Sequence, residues 1–358
     1  MKKKTLIFLT AVLAICFLMN AFPSSSDAAS DIKSVMESKK PVSWKFAHAA
    51  YEGELACKYV EKIIEEIEKN FEGKVVMEHF PAGQLGSYEA MQESLQNGIL
   101  EFNMPVTVSF GQIVPECKVT SINFILHENY EVTERAINEG KAFALMEKKL
   151  EDQNIKVLYW FLEDFSCWSS NVPIQKLEDL DGLKIRVYPS SQIVANYRAL
   201  NANPTEIPYA EVYSALQLHV ADAQENPITI IYANKFYEVQ KYVIESNHTG
   251  VINAIAVSNS FWNSLAEEDQ ARIEKAISTA TKYAIKVMNE NLQYAKEQIA
   301  ASGNTTILQL DPKERARMAE ASVAARELFL KDTGEQGQLI LDMWLEDVKK
   351  YEAEVTGK

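Results

Sequence analysis

Residues 42–81 hold the pattern that most restricts how this chain can fold. Val42 to Ala47 reads as a short apolar strand. From Glu54 to Asn70, apolar residues recur at Ala56, Tyr59, Val60, Ile63, Ile64 and Ile67, the single stripe of an amphipathic helix. Gly73 stops it. Val75, Met77 and His79 then alternate with Val76, Glu78 and Phe80 up to Pro81. Strand, helix and strand in direct succession predict a parallel sheet covered by helices.

The pattern continues along the chain. A helix is expected over about 87–97 with Gly98 at its C-terminal end, a strand over 99–108 and a helix over 132–151. A long apolar strand begins at Ile155 and runs to Ser169, and a shorter one holds Leu183, Ile185 and Val187 on one face. Helix is expected at 209–218, extended chain at 237–242 and a strand at 252–257. From about Ala266 to Ala301 a helical stripe runs without a proline, roughly 50 Å at 1.5 Å per residue. That is longer than one small domain needs, so this helix can lie across two. Residues 312–351 read as helical and amphipathic. No long flexible linker interrupts these elements, which suggests that the chain crosses between domains more than once.

Lys2, Lys3 and Lys4, an uncharged apolar run from Thr5 to about Leu18, and small residues up to Ala29 have the build of a secretory signal peptide. No later stretch reaches about 18 apolar residues. About 330 residues then remain, which suits two domains better than one. The formal charge is −14, and removal of residues 1–28 takes away three lysines and one aspartate, leaving −16. Such a surface repels nucleic acid, and any anionic ligand must be drawn in by a local cation. Cys57, Cys117 and Cys167 are far apart and not in metal-binding spacing; buried thiols are expected.

The sequence offers no recognisable catalytic motif. His48, His79, His127, His219 and His248 are scattered and none forms a close pair along the chain, so no metal is expected. A GxSxG elbow, a P-loop and a GxGxxG turn are all absent. Neither an enzyme nor a cofactor is expected.

Two segments remain. In Asp181-Gly182-Leu183-Lys184-Ile185-Arg186-Val187 the apolar residues take one strand face, so Arg186 points the other way, where its planar fork can hold a carboxylate or sulfonate. In the second, Pro208-Tyr209-Ala210-Glu211-Val212-Tyr213-Ser214-Ala215-Leu216-Gln217 runs on to Gln224-Glu225-Asn226-Pro227. Asn226 precedes a proline and is biased to extended backbone, with an amide that both donates and accepts.

Together with Phe80 to Gly86, Gly98 to Phe102, Phe236 to Val239 and Val257 to Ala276, these segments resemble, in order, the motifs of one family over nearly the whole chain. It is the DctP-like periplasmic solute-binding subunit of the tripartite ATP-independent periplasmic (TRAP) transporters. The resemblance implies an α/β fold of two domains, of the periplasmic binding protein kind, with mixed sheets, crossing strands and a long domain-spanning helix. The expected boundaries are 1–29 for the signal peptide, 42–163 plus 252–291 for the first domain, and 164–251 plus 292–358 for the second. It further implies that Arg186 pairs with a ligand carboxylate, that Asn226 lies in the cleft, and that Tyr209 packs on the ligand. The partners would be a small organic acid and the integral membrane subunits of the transporter. The protein itself would be periplasmic and monomeric. A ligand-dependent sensor facing a membrane receptor would use the same cleft residues.

One departure affects specificity. Many relatives carry a second arginine twenty residues before the first, where this chain has Ser166. Trp168 lies on the same strand face as Ser166, because side chains alternate. Both are therefore expected in the cleft, with a monoanion of modest apolar character as ligand. Val106 and Ala49 stand where sialic-acid binders of the family carry polar contacts, which argues against sialic acid.

Overall fold

The computed structural model describes residues 33–357; the expected signal peptide lies outside the described residues. Strand β1 (Val42–His48) and β2 (Val75–Phe80) pair in parallel, with Val42 beside Val75 and Phe46 beside His79, and α1 (Leu55–Asn70) connects them. Tyr59, Val60, Ile63 and Ile67 on one face of α1 are fully buried. Removing such side chains from water contributes roughly 1.5–3 kcal/mol each. The helix α2 (Tyr88–Gln96) starts at Ser87, whose hydroxyl accepts from the Ala90 N–H, and leads to β3 (Phe102–Met104).

Strand β4 (Ile155–Ser170), 16 residues and roughly 50 Å long, organises the molecule. Its first part pairs antiparallel with β9 (Gly250–Ser258), the last such pair being Phe165 with Gly250. From Ser166 onward it pairs with β7 (Ala223–Pro227), and near its end also with β8 (Tyr242–Glu245). Two further strands, β5 (Lys184–Val187) and β6 (Asn203–Glu206), extend the second half, so the order is β2-β1-β3-β9-β4-β7-β5-β6. Strand β10 (Thr306–Gln309) pairs with β8. Two apolar cores flank the first half of the sheet and two the second.

Helices cover both halves. The first is flanked by α3 (Tyr130–Glu139), α4 (Lys141–Glu151) and α8 (Asn259–Asn263). The second carries α5 (Ser191–Ala199), α6 (Val212–Gln217), α7 (Ile228–Ala233) and α10 (Pro312–Ser322). Helix α9 (Glu267–Ala301) serves both. Its Ile273, Ile277 and Ala280 enter a core of the first half, and its Ile299 enters one of the second. This is the expected two-part α/β arrangement, with a mixed sheet, strands that cross between the halves and a long helix that serves both.

Several expected elements came out differently. The strand expected over 99–108 is three residues long, because Pro105 has no N–H for the ladder and the chain turns into a 3-10 helix at Thr107. The single helix expected over 132–151 is broken at Gly140, which is extended (φ −82°, ψ 155°). The buried Asp347 carboxylate accepts the Ala142 N–H at 3.0 Å and so caps α4 from 205 residues away. The segment expected as helix over 312–351 is two helices, α10 and α11 (Ala324–Thr356), and Gly334 (φ 59°, ψ −142°) interrupts α11. Phe329, Ile340, Leu341, Trp344 and Tyr351 of α11 fill a core of the first half, not of the second with which residues 292–358 had been grouped. Residues 236–238 form a 3-10 turn, and extended chain resumes only at Tyr242.

Candidate functional site

At the point where β4 exchanges β9 for β7 lies a cavity of about 130 Å³. That is near the size of an engineered hole that takes benzene. A strand exchange leaves the sheet open beside it, and ligands of open α/β sheets collect at such points.

Strand β5 delivers Arg186. Ile185 and Val187 are wholly buried in the core, which turns Arg186 to the opposite face, where it lines the cavity. The side chain is 3% exposed. Its Nε donates to the Ile207 carbonyl at 2.9 Å, and its buried Nη2 has no partner among the described residues. Burial pulls its pKa below the usual guanidinium value, while Glu225 and then Tyr209 act to raise it. A guanidinium nevertheless keeps its charge.

Asn226, Ser166 and Tyr209 line the same cavity. Asn226 Nδ2 donates to Gln224 Oε1 at 2.5 Å, which orients the amide and leaves its oxygen free to accept. Ser166 is buried, and its backbone N–H donates to Thr249 at 2.9 Å, just past the last β9 pair. Tyr209 begins a 3-10 turn after Pro208 and donates its hydroxyl proton to Glu54 Oε1 at 2.7 Å.

Trp168 departs from expectation. It shares a strand face with Ser166, but two residues along β4 that face has left the cavity for the core of the second half. The ring is fully buried, stacks on His248 with centroids 4.6 Å apart, and donates Nε1–H to Tyr197 at 2.8 Å. It does not line the cavity.

Three glutamates do, and no sequence motif marks them for the site. Glu163 is 2% exposed; Oε2 accepts from Asn253 Nδ2 at 3.0 Å and Oε1 has no partner among the described residues. Burial, then the nearby Glu54, push its pKa up to about 8. Glu54, also buried, accepts from Tyr209 and from Asn234 Nδ2, each at 2.7 Å. Burial raises its pKa and these bonds partly offset the rise. Glu225 Oε2 accepts from Tyr197 at 2.5 Å and contacts His248 Nε2 at 2.9 Å. A trace was present: Glu163 and Asp164 interrupt the apolar run of β4, and a charge in a buried strand needs a reason. Met104, Val106, Ile193, Ile230 and Ile252 supply apolar wall. No histidine lines the cavity among the described residues.

The histidines are not all scattered in space. His48 and His79 meet with their Nε2 atoms 2.7 Å apart, and neither lines the cavity.

Known proteins resemble this chain over most of its length. The profile of the family described as "Bacterial extracellular solute-binding protein, family 7" (DctP) matches residues 46–332. The ectoine-binding periplasmic protein TeaA of Halomonas elongata is 29% identical over 316 residues, 88% of this chain and 92% of that protein. The C4-dicarboxylate-binding periplasmic protein DctP of Rhodobacter capsulatus is 31% identical over 282 residues, 78% of this chain and 84% of that protein. The high-resolution structure of the ectoine-binding protein from the TeaABC TRAP transporter of Halomonas elongata superposes with a TM-score of 0.82 at 28% identity, over 86% of this chain and all of that one.

Proposed function

The chain belongs to bacterial extracellular solute-binding protein family 7, whose periplasmic members bind small organic solutes for TRAP transporters, and from that premise we propose that it captures a small organic acid at Arg186 and delivers it to a TRAP-type permease. It is a binding protein and not an enzyme. The observation that carries the reading is the buried guanidinium with a donor left unpartnered at the cavity wall. Leaving a buried donor unsatisfied costs roughly 1–3 kcal/mol, more when the group is charged. A carboxylate or sulfonate entering there removes that cost and gains a charge-assisted bond.

In the proposed complex, Ser166 and the Asn226 amide complete the hydrogen bonding of the acid, and the Tyr209 ring packs against the ligand. The lobes, 42–163 with 252–291 against 164–251 with 292–323, close over it, with α11 counted in the first lobe because its side chains fill that core. The protein acts as a monomer and does not bind nucleic acid.

Glu54 and Glu163 refine the ligand class. A C4-dicarboxylate, the solute of the Rhodobacter relative, would bring a second anion into a cavity in which Arg186 is the one arginine or lysine among the described residues, leaving that anion without a cation. A ligand with its carboxylate at Arg186 and a hydroxyl or protonated nitrogen at Glu163 fits both ends, and the ectoine-binding relatives are named for a solute of mixed polarity. A thermal-shift panel of hydroxy acids, amino acids, cyclic zwitterions, alkyl sulfonates and C4-dicarboxylates tests this. Stabilisation by the first four classes in any combination supports the reading; a response to dicarboxylates alone rejects it.

A further inference from the structure

His48, His79 and Cys57 are 9 to 31 residues apart in sequence, yet the first strand-helix-strand unit gathers them. His48 is the last residue of β1, His79 lies on the neighbouring edge strand β2, and Cys57 sits in the first turn of α1. The two Nε2 atoms and the Cys57 Sγ all lie within 4.8 Å of one another. His48 and Cys57 are buried and His79 is half-buried, so the cluster has one open side. On that side stands the exposed Glu61, one helical turn past Cys57, with Oε1 3.6 Å from Sγ.

We propose that His48, His79 and Cys57, with Glu61 or a water as fourth ligand, form a binding site for a zinc-type divalent ion, separate from the organic-acid cavity.

Three observations carry this. The donor set, two imidazoles and a thiol with a carboxylate beside them, suits a borderline ion and not a hard one. The imidazoles point their Nε2 atoms at each other, so as they stand the pair can share only one proton. The required movement is small. Tetrahedral ligation at ~2.0–2.1 Å to nitrogen and ~2.3 Å to sulfur sets the nitrogens about 3.3 Å apart and sulfur about 3.6 Å from each. The rings must therefore part by a few tenths of an ångström and the thiol must approach. The thiol releases its proton as the ion binds.

The site also has a structural consequence. His48 and Cys57 bracket residues 49–56, the connection that brings Ala50 and Glu54 to the cavity wall. An ion held by both ends fixes that connection.

The test uses the purified, untagged protein after chelator treatment and dialysis under reducing conditions. Zinc titrated by calorimetry should bind one equivalent and raise the melting temperature. Cobalt(II) should give tetrahedral d–d bands together with a thiolate-to-metal charge-transfer band in the near ultraviolet. Cys57→Ser should abolish the charge-transfer band and weaken zinc at least about tenfold, and His79→Ala should weaken it comparably. His79 is half-exposed, so this variant should keep its fold, checked by circular dichroism and by an unchanged response to organic acids. If Cys57→Ser does not fold, His79→Ala and Glu61→Gln decide the question. Absence of saturable zinc binding, equal zinc affinity in wild type and His79→Ala, or a cobalt spectrum without the thiolate band overturns the proposal.

Discussion

Arg186 and Glu163 line one cavity from two different strands, β5 and β4, and each keeps a buried polar atom, Nη2 and Oε1, without a partner. A guanidinium and a protonated carboxyl, each left unsatisfied in one space, mark a surface built for a molecule with two kinds of end.

Removing the cation should separate binding from stability. Arg186→Ala should lose roughly 2–5 kcal/mol of organic-acid affinity, measured by calorimetry. Arg186→Met keeps the apolar stem but removes the buried charge, so the ligand-free protein should melt no lower than wild type while binding is lost. Near-native affinity in either variant contradicts the assigned role.

Glu163 makes stability depend on pH. Its folded pKa, about 8, lies above the ordinary carboxyl value of 4.5. Between those values the folded state holds a proton that the unfolded state has released. This group's contribution therefore falls as pH rises from about 4.5 to about 8. The ligand-free melting temperature should drop across that window, and Glu163→Gln should flatten the drop. The same substitution should weaken ligands with a protonated nitrogen more than plain hydroxy acids. A pH profile unaltered by Glu163→Gln would falsify the shift.

Tyr209→Phe removes the hydroxyl that donates to Glu54 and accepts from Asn234 Nδ2 at 2.9 Å. Glu54 then keeps Asn234 as its side-chain donor. The expected cost is about 1–3 kcal/mol of stability in urea denaturation. Organic-acid affinity should fall as well, because the carboxylate is no longer held in place.

Trp168→Phe separates the core from the cavity. It deletes the bond to Tyr197 while keeping a ring against His248. Stability should fall by about 1–3 kcal/mol while affinity changes by less than about threefold, well short of the Arg186→Ala effect. An affinity loss equal to that of Arg186→Ala would return Trp168 to the ligand site.

The sequence by itself determined the periodic elements: β1-α1-β2, the long β4, and α9 running across both halves. These depend on local spacing of apolar residues, which a linear string displays. Strand alternation also turned Arg186 away from Ile185 and Val187, and the resemblance of its segment to a family motif marked it for the ligand. Where two helices replaced one, the cause lay far off in sequence, as with the Asp347 carboxylate that caps α4 beside Gly140. Only the tertiary structure decided which side chains share a space. Trp168 and Ser166 lie on one strand face, yet the strand passes from cavity to core between them, and no alternation rule can register that. Glu54, Glu163 and Glu225 meet around the arginine from separate segments, as do His48, Cys57 and His79 at the sheet edge. Such meetings are fixed by packing between elements, and packing acts at distances in space that have no counterpart along the chain.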